Sequence, residues 1–139
     1  MAVTAQLEGF KQLQARIEKV QEAFNEQDAL DAAGAFLLNA IRQRFLDTED
    51  PDGKLWPESR AAQVRAATGR DGKTGFDSGD LFRSITLARK GDQRVIFTQL
   101  DYADDFQQGP PERIFMGFNP ADEEGISRII EQRIRDAIG

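Results

Sequence analysis

The apolar residues of this chain keep a helical spacing at both ends and switch to strand-like patterning only between residues 85 and 118, an order that limits the folds open to it. Phe10, Leu13, Ile17, Val20 and Phe24 recur at intervals of three and four, one face of a helix with charged residues between. Asn25 offers a cap, and a second helix is expected over Glu26–Asp47 with Leu30, Leu37, Ile41 and Phe45 on its apolar face. Its early Asp28 and Asp31 and late Arg42 and Arg44 suit the helix dipole. Ala32, Ala33, Gly34 and Ala35 give it a small-residue face open to close approach. At the far end, Asn119 or Asp122 caps a last helix lined by Ile126, Ile129, Ile130, Ile134 and Ile138. The pairs Glu124/Arg128 and Glu131/Arg135 support it across one turn.

Between these helices the chain is punctuated. DTEDPDGKLWP (47–57) reads as a loop, Glu58–Ala67 as a short helix, and Asp77–Ile85 as another, capped by Asp77 or Ser78. Two strands are expected near 85–89 and 94–100, joined at Lys90-Gly91-Asp92. A polar connection over 101–112 carries a helical turn at Tyr102–Phe106, and Arg113–Phe118 reads as a third strand. The fold class is therefore α+β: two N-terminal helices and a C-terminal helix packed against a small antiparallel sheet. At 139 residues the chain suits one domain, 1–139.

Composition removes whole classes of chemistry. With neither histidine nor cysteine there is no imidazole base, no thiolate nucleophile and no ordinary zinc site. Absent cysteine also fits a reducing compartment. No apolar run approaches the ~18 residues a membrane span needs, and MAVTAQLEGF lacks the pattern of a secretory signal. A formal charge of −6 opposes tight binding to DNA phosphates.

The remaining motifs dissolve under their own mechanics. Ala67–Thr74, A-T-G-R-D-G-K-T, fits a relaxed phosphate-loop pattern, but polar, helix-prone ESRAAQVRAA precedes it where a buried strand is needed. TEDPDG lacks both the first and the last ligand of a calcium loop, Thr48 and Ser59 standing at those positions. Asp101, Asp104 and Asp105 read as a solvated acidic face. Arg60, Arg65, Arg70 and Lys73 form a loose basic cluster, and Trp56 beside Pro57 is expected to plug the edge of the core. No cofactor and no metal ligand set follows from these residues. The competing reading is a small metal-dependent hydrolase or toxin-type enzyme, which needs three carboxylates converging on one pocket.

Taken in order, these segments resemble a known family. RQRFLDTEDPDGKLWPESRAAQVR, GRDGKTGFDSGDLFRSI, YADDFQQG and RIFMGFNPADEEGISRII resemble the phage virion morphogenesis family, the tail-completion proteins of Mu-like and related tailed phages. The shared features are Arg44-Phe45, the Asp52-Gly53 turn leading to Trp56-Pro57, and Asp77–Ile85. Tyr102-Ala103 to Gly109 and Phe115 to Glu124 complete them. Together they cover roughly residues 30–135. The chain departs from the family pattern at Phe106-Gln107, where a histidine is common, and at Glu112-Arg113-Ile114, where Ala-Arg-Pro is common.

The resemblance implies a non-enzymatic structural protein of the virion, acting at the head–tail junction and present in host cytoplasm during assembly. It implies a homo-oligomer, a ring of about six subunits, contacting other tail or head-connector proteins. Duplex DNA would pass the lumen without specific binding, and no membrane is involved. Arg70, Lys73, Asp101, Tyr102, Asp104, Gln107 and Gln108 are the expected subunit or partner contacts, with the small-residue face of the second helix beside them.

Overall fold

The computed structural model describes residues 2–70, 72–75 and 79–139. Two long helices come first, α1 (Ala2–Ala23) and α2 (Glu26–Asp47), followed by the short α3 (Arg60–Ala67) and α4 (Asp80–Ser84). A hairpin of β1 (Thr86–Lys90) and β2 (Gln93–Phe97) leads through α5 (Ala103–Gln108) to the closing α6 (Pro120–Ile138). The class is α+β, with helices against a two-stranded antiparallel sheet.

Local chemistry sets the helix ends. Asn25 Oδ1 accepts from the Asp28 N–H at 3.0 Å, so α2 begins and ends where the sequence places it. The start of α6 uses both candidates at once. Asn119 Oδ1 accepts from the Asp122 N–H and Asp122 Oδ2 accepts from the Asn119 N–H, a reciprocal capping box. Ser59 caps α3 by accepting from Ala62 N–H. The caps expected for the next helix, Asp77 and Ser78, lie outside the described residues; α4 itself starts at Asp80.

The hairpin is shorter than the alternation suggests. Thr86 pairs with Phe97 and Lys90 with Gln93 around a two-residue turn in which Gly91 takes φ +58°. Thr98, Gln99 and Leu100 leave the ladder because the chain before Thr86 is already helical and offers no partner. The third strand, Arg113–Phe118, does not form. Its apolar run is held instead by side chains: Gln107 Oε1 accepts from Phe115 and Met116 N–H, and Trp56 Nε1 donates to Ile114 C=O at 2.9 Å. These bonds fill the places a strand neighbour would take.

Phe45, with no exposed surface, is the hub of the core. Trp56 meets it edge-on at 5.1 Å, Phe115 edge-on at 5.6 Å, and Phe106 stacks on it at 5.8 Å. Ile41, Leu81, Ile85 and Ala103 fill the gaps. Gly75 approaches so closely that a Cβ there would lie 2.9 Å from Phe45 Cζ, at φ +85° besides.

Helix α2 is packed on two sides. Toward α6, a Cβ on Gly125 would fall 2.3 Å from Phe36 Cζ. Toward the hairpin, a Cβ on Gly34 would fall 3.0 Å from Leu87 Cδ1. Positions 34 and 36 stand about 200° apart around a helix, so the two contacts lie on opposite sides. Part of the small-residue face expected to meet a partner is therefore used inside the chain: Gly34 meets the hairpin and Ala33 is buried, while Ala32 is half-buried and Ala35 exposed.

Candidate interaction surfaces

The sequence-flagged residues fall on two neighbouring loops and one short helix. Arg70 and Lys73 are exposed in the turn after α3. The Lys73 carbonyl accepts from Arg65 Nη2 at 2.8 Å, which ties that turn back to α3. Arg65 itself is buried, so the basic cluster read from the sequence is not a surface of four cations. Asp101, Tyr102, Asp104 and Gln108 are exposed on or just before α5. Gln107 faces the other way and serves the chain, holding the 113–116 segment through its amide oxygen and its carbonyl, the latter accepting from Arg113 N–H.

One cavity, about 480 Å³, brings part of this set together. Ser59, Arg65, Asp80, Tyr102, Phe106 and Arg113 line it. Arg113 is fixed over the Phe106 ring, 5.8 Å from its centroid, with its Nε donating to Pro57 C=O. The cavity joins Tyr102 to the neighbourhood of α3, while Lys73 lines a different hollow with Trp56 and Thr74.

The phosphate-loop pattern is preceded by helix α3, not by a strand, which is the wrong frame for curling amides around phosphates. In the acidic turn, Asp50 Oδ1 accepts from Asp52 and Lys54 N–H, each at 2.9 Å, so that carboxylate stiffens the loop. Among the described residues no group of three or more acidic side chains is placed to hold a metal ion. Nor is any described helix long and apolar enough to cross a membrane.

Two charged constellations are well built. Arg44 and Asp122 are both buried, and Asp122 Oδ2 accepts from Arg44 Nη1 and Nη2 at 2.6 Å each, fastening α2 to α6. On the surface, Asp31 accepts from Arg94 Nε at 2.5 Å and Arg89 Nη2 at 3.0 Å, linking α2 to the hairpin. The Arg94 hydrogen bond, aided by the charges of Arg94 and Arg89, holds the Asp31 carboxyl below the ordinary aspartate value of 3.8. Arg133 also pairs with Asp28 across α6 and α2.

Exposed apolar side chains are what the sequence reading missed. The helical stripe of α1 predicts burial, yet Leu13 is 54 % and Ile17 49 % exposed, while Val20 and Phe24 further along are half-buried. Ile134 and Ile138 on α6 are exposed too, as is Phe118 at 55 %. Periodicity reports a shared face but not whether anything covers it.

The model of the phage virion morphogenesis family matches residues 8–135. No curated protein and no solved structure matches.

Proposed function

Because this chain belongs to the phage virion morphogenesis family, we propose that it is a structural subunit of the head–tail junction. It completes the tail or prepares it to join the head, and it works by protein–protein assembly into a ring of about six copies. The observation that carries the reading is the extent of the family match, which runs from within α1 almost to the end of α6. A virion role follows from the family; the junction and the ring are the finer steps of this reading.

Two features favour it. Large apolar side chains stand exposed on α1, α6 and the Phe118 segment, as expected of a subunit that finishes burying its surface on neighbours. The acidic balance, −6 overall, suits a collar that duplex DNA passes without being held. Contacts through Tyr102, Asp104 and Gln108 on α5, and through Arg70 and Lys73 beside it, belong to the same proposal.

A nonsense mutation in the gene, followed by electron microscopy of the lysate, tests the role. Separate filled heads and tails, with joining restored by the purified protein, is the expected result. Normal joined particles would refute it. Native mass spectrometry of purified tails decides the ring, since one copy per tail contradicts it.

A further inference from the structure

The exposed stripe of α1 and an apolar groove on the opposite side of α2 are complementary surfaces of one chain. Leu13 and Ile17 are spaced one turn apart, so they project together from α1 as a pair of aliphatic anchors. Every described side chain from Lys11 to Lys19 is exposed, so this part of α1 stands clear of its own body. Where α1 does pack, it packs on α6.

The groove lies on the other side of α2, between that helix, the hairpin and the segment before α6. It has a volume of about 290 Å³ and is lined by Leu37, Ile41, Leu87, Ile96, Met116 and Phe118. The half-exposed Phe118 ring stands at its rim. Gly34 and Gly117 also line it. Two aliphatic side chains at helical spacing are the size and pattern such a groove accepts.

The charges match as well. Residues 11–19 carry Lys11, Arg16 and Lys19 against the single carboxylate of Glu18, although the whole chain is at −6. The groove ends beside the acidic turn: Gly117 abuts Pro51, and Asn119 Nδ2 donates to Pro51 C=O at 2.8 Å. Asp50 and Asp52 flank that proline in sequence, with Glu49 one residue further, while at the groove's other end Arg94 is already paired with Asp31. A basic helix thus meets an acidic rim.

We infer that α1 is an arm whose Leu13–Ile17 face docks into the groove of a neighbouring copy of this chain, its cations against the acidic turn. The arm rests on α6, across α2 from the groove of its own chain, so the contact is head-to-tail and each copy has one arm to give and one groove to fill. Such heterologous contacts propagate and close into a ring when the rotation permits. This inference rests on the ring reading and names the contact that builds it.

The chain has no cysteine, so pairs of introduced thiols report the contact directly. Leu13→Cys and Phe118→Cys chains, mixed and oxidised, are expected to give the mixed disulfide dimer. The double variant is expected to give closed multi-chain species in solution and in assembled tails. Leu13→Glu with Ile17→Glu, and separately Phe118→Glu, should each weaken self-association at least about tenfold. Far-UV circular dichroism should stay unchanged, since all three side chains already face solvent. Raising salt should weaken association further. Arm-to-arm disulfides, a disulfide within one chain, or no cross-link in either setting would overturn the arm. If tails hold several copies and no arm cross-link forms, the ring stands and the arm falls; one copy per tail removes both.

Discussion

Replacing Asp122 by alanine breaks a buried ion pair that fastens α2 to α6. Arg44 and Asp122 are 78 residues apart in sequence and joined by two 2.6 Å bonds. Asp122→Ala leaves the Arg44 guanidinium buried without a counter-charge, a loss of about 3–5 kcal/mol. The variant also removes the half of the capping box in which Asp122 Oδ2 accepts from Asn119 N–H, while Asn119 still caps the backbone N–H of residue 122. With an unfolding entropy of about 2.1 cal/mol/K per residue, this corresponds to a fall in Tm of about 10–17 °C. Arg44 Nε makes no hydrogen bond among the described residues, so the pair is incompletely satisfied even in the native chain. The double variant Arg44→Met/Asp122→Leu should therefore recover most of the loss. Urea unfolding followed by Trp56 fluorescence, with the single tryptophan as probe, measures the parent chain, Arg44→Met, Asp122→Leu and the double variant as one cycle, with Asp122→Ala beside it. A single-variant loss under about 1 kcal/mol, or a double variant as unstable as the sum of the singles, refutes the reasoning.

Trp56→Ala should cost about 3–5 kcal/mol, since a ring only 7 % exposed leaves a hole beside Phe45 and an unpaired Ile114 carbonyl; thermal unfolding by circular dichroism checks it. Lys73→Ala should leave folding and particle assembly unchanged, and calorimetry should find no ATP binding at millimolar nucleotide; saturable, magnesium-dependent binding lost in that variant would reinstate the phosphate loop. Gel shifts at about 150 mM salt should show no binding to duplex DNA of any sequence, with any weak low-salt contact vanishing as salt is added. Carboxyl NMR should place the Asp31 midpoint below 3.8. Because its folded value is the lower one, its small stabilisation is present above the unfolded value and is lost as pH falls through the folded one, a dependence that Asp31→Asn abolishes.

Local signals made the helices legible. Asn25 and Asn119, both expected as caps, each accept a hydrogen bond from an N–H three residues on, and such bonds need nothing beyond their own turn. The hairpin was legible for the same reason, with Gly91 setting the turn between alternating runs. Trp56 was expected at the core edge and lies there.

What the chain order could not carry was partnership over distance. Arg113–Phe118 has the composition of a strand, yet whether it becomes one depends on a neighbouring edge, and Gln107 and Trp56 occupy its hydrogen bonds instead. The buried Arg65 reads as one more surface cation until its guanidinium is seen on the Lys73 carbonyl. Leu13 and Ile17 obey the helical period as faithfully as Val20 and Phe24, and only the placing of α6 decides which of them are covered. The sequence alone determined the long helices, the Asn25 and Asn119 caps, the hairpin and the absence of histidine and cysteine chemistry, because propensity, capping and composition are local properties. The tertiary structure decided which apolar faces are left for a neighbour and which charges are buried in pairs, because burial is a relation between segments far apart in the chain.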